Sequence, residues 1–224
     1  MQDYYSNDVI DVEDIKIDNY SFILIASRRR SGKSVLVKGL IKNICDNFEI
    51  DFIILFSKTA EYNNEYDFIE KKYRYDYEKC EQVIEKIINY QKQKIKRNKE
   101  TTPNIIIILD DIILHKKNKK LIDVSSLGRH FKIFCIASVQ FPKQVISTSI
   151  RSNLDIVFWN DLSDTGLEAI YQSIHLPYSY KEFKTYTYTN NDNYQFLCYN
   201  NNEKNKNKRV TICKAKMYES LHFE

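Results

Sequence analysis

The sequence predicts an α/β domain whose helices flank a mostly parallel central sheet. Three observations carry that expectation. Strand candidates recur at 22–26, 51–56, 104–109, 132–138 and 155–159, and between their polar end residues they are unbroken apolar runs rather than alternating ones. Strands buried on both faces need such runs, and that is the condition of a parallel sheet. Stretches with helical spacing lie between them, and alternating strands and helices argue for parallel crossover units. Finally, two of the runs stop in polar residues, at Ser27 and at Asp110-Asp111, where an open sheet forms its ligand crevice.

Residues 1–20 are acidic and polar, and are expected to be a loosely attached lead-in to a core spanning 21–190. The first core strand is expected over 21–26 and runs directly into Ser27-Arg28-Arg29-Arg30-Ser31-Gly32-Lys33-Ser34. This octet fits the phosphate-cradling pattern G-x-x-x-x-G-K-[S/T] at every position but the first. In that pattern successive backbone N–H groups form an anion nest. Gly32 lets the backbone approach, Lys33 reaches the β- and γ-oxygens, and the Ser34 hydroxyl binds Mg²⁺. A helix from Lys33 to Cys45 points its positive end at the same phosphates. The nucleotide-binding segment is therefore Ser27, Arg28, Arg29, Arg30, Ser31, Gly32, Lys33, Ser34 and Val35. Ser27 stands where Gly is favoured for its freedom at φ > 0. Ser fits if it stays in an allowed region, at a cost of ~1 kcal/mol. Taken alone, the octet also reads as an exposed basic turn.

The run 51–56 predicts a second strand ending at Ser57, with loops and an irregular helix over 58–76. From Tyr77 to Asn98, apolar residues at Cys80, Val83, Ile84, Ile87, Ile88 and Ile95 fall on one helical stripe. Thr101, Thr102 and Pro103 end that helix. The Ile-rich run from Asn104 then delivers Asp110 and Asp111 to a strand end, the partner that a phosphate loop requires. Asp110 would hold Mg²⁺ through Ser34 and water, and Asp111 would polarise the attacking water. The alternative is a buried strand that ends in a solvated acidic turn. Further strands are expected at 132–138 and 155–159, with short helices between them and a helix over 164–173. The tail, 191–224, differs. There, 194–199 and 210–215 flank the Asn- and Lys-rich stretch 200–209 and predict an antiparallel hairpin at the sheet edge.

Bulk properties narrow the classes. With 43% hydrophobic residues in a chain of 224, a sizeable core can be buried. A net charge of +4 excludes a globally basic nucleic-acid coat, but the charge is clustered. Lys116, Lys117, Lys119 and Lys120 leave the crevice edge right after Asp111 and are the candidates for DNA contact. Five scattered cysteines without a C-x-x-C pair argue against a disulfide framework or a zinc site, and fit a reducing compartment. No apolar run approaches the ~20 residues needed to span a bilayer.

The run ending Ala137-Ser138-Val139-Gln140, followed by Phe141-Pro142 and Ile150-Arg151-Ser152-Asn153, resembles the FtsK/HerA superfamily of DNA-pumping ATPases. Gly128-Arg129-His130 just before it adds to the likeness. Within that superfamily the chain is most similar to the genome-packaging ATPases of poxviruses and other nucleocytoplasmic large DNA viruses, over residues 20–218. The resemblance implies a RecA-like (ASCE) P-loop core assembled as a homo-oligomeric ring, a hexamer, with ATP between subunits. It implies ATP hydrolysis with Mg²⁺, translocation of double-stranded DNA, and a capsid or portal-like partner. It implies a place in the cytoplasm of an infected host cell, at the site of virus assembly, and association with the virion. Catalysis would fall to Lys33, Asp111 and Gln140, with Arg129 as an arginine finger supplied to the neighbour and Arg151 as a second candidate. The chain departs from the family at Ser27 and at Asp111, where many members carry Glu, so slow basal turnover is expected. Three other readings stay open: a HerA-type translocase or helicase in repair, a P-loop small-molecule kinase, and a nucleotide-binding scaffold that does not hydrolyse.

Overall fold

The computed structural model describes residues 9–59, 62, 64–111, 119–190, 192 and 194–218. The chain begins with β1 (Val9–Asp11) and then β2 (Phe22–Ser27), α1 (Lys33–Asn47), β3 (Phe52–Ser57) and the two-residue β4 (Arg74–Tyr75). Next come α2 (Cys80–Arg97), β5 (Ile105–Asp110), α3 (Lys119–Leu127), β6 (Ile133–Val139), and two single turns, α4 (Pro142–Val145) and α5 (Thr148–Arg151). The last third holds β7 (Ile156–Asn160), α6 (Asp164–Tyr171), α7 (Tyr180–Thr189), β8 (Gln195–Asn200) and β9 (Val210–Lys214).

Among the described residues, nine strands form one sheet in the order β1-β9-β8-β7-β2-β6-β5-β3-β4. Every neighbouring pair is parallel except those made by β8, which runs against both β7 and β9. The expected mostly parallel sheet and terminal antiparallel hairpin are both present. The Ile-rich runs do what their continuity implies. Along β5, Ile105, Ile107 and Leu109 enter one core layer while Ile106 and Ile108 enter the other. The first layer packs beneath α2, α3, α6 and α7, and the second beneath α1. Both edge strands are short, which limits the unpaired backbone offered to other chains.

One expectation about position changes. Residues 9–17 are not a loose lead-in: β1 pairs in parallel with β9, and Val12, Ile15 and Ile17 are buried. Asn43 of α1 secures this segment, its Nδ2 reaching the carbonyls of Val12, Glu13 and Ile15 at 2.9 Å each. The charge of the segment lies on its exposed side, so composition alone suggests a solvated strand of chain. The sequence also left α7 unassigned. It is set by a capping box between Ser179 and Glu182 and held to β7 by a hydrogen bond from Trp159 Nε1 to Thr187 Oγ1.

Candidate active site

β2 is flanked by β6 on one side and β7 on the other, so the crevice opens at the carboxyl ends of these strands. The phosphate-loop octet leaves β2 there. Gly32 is the N-cap of α1 at φ 90° and no side chain caps the helix, so its first N–H groups are free to meet an anion. A Cβ at Gly32 would come within 2.6 Å of the Tyr194 ring. Ser27 stays in the extended conformation as the last residue of β2, and the left-handed position falls to Arg30 at φ 62°. The Ser27 hydroxyl is buried and has no hydrogen-bond partner among the described residues. Arg28, Arg29 and Arg30 are exposed along the loop, with Arg28 3.3 Å from Asp161. Val35 sits in the first turn of α1 and packs against the core layer below.

Lys33 is nearly buried, and its ammonium donates to the backbone carbonyls of Ser27 at 3.0 Å and Arg28 at 2.5 Å. Burial lowers its pKa from the ordinary lysine value, and the nearby charges of Asp111 and Asp110 oppose that shift. Two carbonyls of the loop thus hold the Lys33 ammonium.

Asp110 ends β5 only 7% exposed. Burial pushes its carboxyl above the usual carboxylate value, against a hydrogen bond from Ser138. Ser138 Oγ donates to Asp110 Oδ1 at 2.8 Å and accepts from the Asp111 N–H at 2.8 Å, so a single hydroxyl on β6 fixes both acids. Gln140 Nε2 donates to both oxygens of Asp111. Lys33, Ser34, Asp110, Asp111 and Gln140 therefore meet at one sheet edge. These residues fit Mg²⁺. The buried Asp110 carboxylate and the Ser34 hydroxyl both lie against the Tyr66 phenol, and among the described residues Asp110 makes no ion pair, since Lys33 donates to carbonyls. Among the described residues there is no cluster of three or more His, Cys, Asp or Glu that could cage a metal by itself. Mg²⁺ commonly takes one or two carboxylates and completes its shell with phosphate and water.

Backbone strain occurs at both ends of the strands, at Tyr20 and Lys132 on the amino side and at four residues on this edge. Arg30, Asp111, Asp161 and Tyr194 all have φ > 0 without being glycine, each in the turn that borders the crevice. Such conformations cost ~1–3 kcal/mol each and persist where surrounding structure enforces them. A cavity of about 270 Å³ lies beside the loop, lined by Arg29, Arg30, Asn160, Asp161 and Tyr194. A larger one, about 390 Å³, opens near Tyr171, His175 and Arg209, away from the loop, and holds none of this chemistry.

The two arginines lie elsewhere. Arg129 precedes β6 and pairs with Asp155 at 3.3 Å, at the amino end of the strands. The length of β6, roughly 20 Å at ~3.3 Å per residue, separates it from the loop of its own chain. Arg151, the second finger candidate, does not lie beside Gln140 at the crevice edge. Two single-turn helices carry the chain across, and Arg151 closes the second of them beside the start of β7, its buried Nε without a hydrogen-bond partner among the described residues. Lys116 and Lys117 lie outside the described residues, while Lys119 and Lys120 open α3. Sequence reasoning missed Tyr66, whose fully buried phenol lies against Asp110 and Ser34. Burial and the Asp110 charge raise its pKa well above the ordinary tyrosine value. It occurs in a Tyr-rich, irregular stretch with no periodicity, so only the tertiary structure identifies it.

A family model described as Poxvirus A32 protein matches residues 10–216. The uncharacterized protein L437 of Acanthamoeba polyphaga mimivirus is 26% identical over 147 residues, 61% of this chain and 50% of that protein. The chain thus spans about half the length of the curated relative it matches. Among solved structures, the genome packaging NTPase B204 from Sulfolobus turreted icosahedral virus 2, in complex with AMPPCP, aligns with a TM-score of 0.61 at 20% identity, covering 90% of this chain and 100% of that one. The pCW3 conjugation coupling protein TcpA with ATPgS gives 0.62 at 16% identity, over 90% of this chain and 62% of that one. EssC from Geobacillus thermodenitrificans gives 0.59 at 17%, over 89% and 40%. These likenesses establish the fold. The family match spans nearly the whole described chain, from β1 through β9 and including the loop and both acids, and the protein belongs to the poxvirus A32 protein family.

Proposed function

We propose that the protein is an Mg-ATP-hydrolysing motor that translocates double-stranded DNA and packages a viral genome into a capsid. The observation that carries this reading is the meeting of an uncapped phosphate loop, Asp110-Asp111 and Gln140 at one sheet edge. Family membership supports the viral setting. The packaging task is supported by B204, a chain of the same fold that this one covers from end to end.

ATP phosphates would displace the Ser27 and Arg28 carbonyls as acceptors for Lys33, and the first N–H groups of α1 would complete the cradle. Mg²⁺, when bound by Ser34 and Asp110, would neutralise charge developing between the β- and γ-phosphates. Asp111 would orient the attacking water and accept its proton. Gln140 would hold Asp111 until a γ-phosphate competes for its amide, which ties nucleotide state to β6 and the turns beyond it. In a hexameric ring with ATP between subunits, Arg129 would reach the neighbour's phosphates and contribute ~10³–10⁵ in rate. The lysines at 116, 117, 119 and 120 would bind the duplex backbone. A capsid or portal-like component and an infected-cell cytoplasm, with association with the virion, complete the reading.

The deciding experiment is steady-state Mg-ATP hydrolysis with and without linear duplex DNA, with Lys33→Ala as the blank. We expect stimulation by duplex DNA and no turnover from a folded Lys33→Ala chain. Wild-type turnover from that variant would refute the site assignment. Turnover indifferent to every nucleic acid would point instead to a small-molecule kinase. Replacing the four lysines with Gln should flatten the salt dependence of DNA affinity, the slope falling by ~0.9 for each phosphate left unneutralised. An unchanged slope removes that assignment.

A further inference from the structure

Tyr66 has no part in the mechanism above, yet its hydroxyl is sealed into the site. Tyr66 ends the single turn Asn64–Tyr66 after β3, with no exposed surface. Its ring belongs to the core layer beneath α1 and lies 6.2 Å from the Phe68 ring. Packing accounts for the ring but not for the oxygen. A phenylalanine would fill the same space, whereas a buried hydroxyl without a partner costs ~1–3 kcal/mol. Tyr66 carries such a hydroxyl. It lies against the Asp110 carboxylate and the Ser34 hydroxyl, and meets neither in good hydrogen-bond geometry.

Those two partners are the side chains assigned to Mg²⁺, and the inference rests on that assignment. Ser138 holds one oxygen of Asp110 from the β6 side, but among the described residues no hydrogen bond of good geometry restrains the carboxylate from the β3 side. Groups that hydrogen-bond a metal ligand orient it, and their loss typically lowers metal affinity ~10–100-fold. We propose that Tyr66 is a positioning residue of the metal site, whose O–H donates to Asp110 when Mg²⁺ and nucleotide draw the carboxylate and Ser34 together. The phenol is the donor and the carboxylate the acceptor.

The test is Tyr66→Phe in the full chain, read by binding of a fluorescent, non-hydrolysable ATP analogue across an Mg²⁺ titration and again in EDTA. The Mg²⁺ concentration at half-maximal affinity should rise about tenfold or more, while affinity in EDTA and the melting temperature stay at or above wild type. A variant with the wild-type Mg²⁺ midpoint would overturn the proposal and leave the proposed function standing. A variant that failed to fold would show that the hydroxyl serves the core, and would overturn it too. Wild-type binding indifferent to Mg²⁺ would instead sink the metal assignment and this inference together.

Discussion

Ser27 shows how a phosphate loop tolerates a side chain where glycine is usual. The residue remains in the strand, and the left-handed turns are displaced to Arg30 and Gly32. The cost is a buried hydroxyl with no partner among the described residues. Ser27→Ala should therefore stabilise the chain by about 1 kcal/mol, seen as a melting temperature raised by ~2–4 °C, with nucleotide affinity unchanged. Only the backbone carbonyl of Ser27 is used, by Lys33. A lower melting temperature would mean that the hydroxyl has a partner in solution. The identities of Lys33, Ser34, Asp110, Asp111 and Gln140 were legible in the sequence because each stands at the end of an apolar run, and strand ends of a parallel sheet share one edge. Ser138 was legible as part of a motif, but its bridging of both acids was not. That role depends on the register that sets β5 beside β6.

At the scale of elements, α1 joins the site to the amino-terminal segment. Its first turn faces the crevice, and farther along Asn43 holds three carbonyls of residues 12–15. Gly39 lies against Val12 so closely that a Cβ there would meet its Cγ1. Asn43→Ala would remove the side-chain donor to those carbonyls, leaving the Val12 oxygen only its long 3.4 Å bond from the Ile15 N–H. We expect a loss of at least ~2 kcal/mol and a melting temperature lower by ~4–8 °C. Thermal melts of the two chains check this, and a shift below about 1 °C, well under that range, would mean that water satisfies the carbonyls. The strands and long helices were legible because burial on two faces or along one stripe leaves a pattern over many residues. β1 and β4 were not, since three and two residues carry no period. α7 was announced only by its capping box, because its apolar face is interrupted by tyrosines and threonines.

At the scale of the whole molecule, the sheet separates two charged sites. The carboxyl edge carries the phosphate loop and the amino edge carries Arg129 with Asp155. Asp155 Oδ2 accepts from the Phe22 N–H at 2.8 Å while its other oxygen faces Arg129. Burial raises its carboxyl pKa above 3.8, and the Phe22 bond and Arg129 oppose the rise. A carboxyl raised on folding gives its full stability below its unfolded value and loses it as pH climbs through the folded value. Arg129→Ala lifts the folded value further and so widens that loss. The variant should be less stable by about 0.5–1 kcal/mol at pH 7, given a half-exposed arginine, and the deficit should shrink toward pH 4. Urea melts at the two pH values test the pairing. If Arg129 also acts as the finger of a neighbouring subunit, the same variant should lose hydrolysis while keeping ATP affinity. Retained hydrolysis would leave Arg129 as the partner of Asp155 and nothing more.

The sequence by itself determined the parallel α/β sheet, the phosphate loop and the two acids, because unbroken apolar runs and the residues that end them are local patterns read directly along the chain. Tertiary structure alone decided that residues 9–11 extend the sheet, that Arg129 faces away from its own phosphate loop, and that the Tyr66 phenol lies against Asp110. Those outcomes depend on pairings between segments far apart in sequence, such as β1 with β9 and β3 with β5. Register and burial across such pairings leave no period in the chain itself.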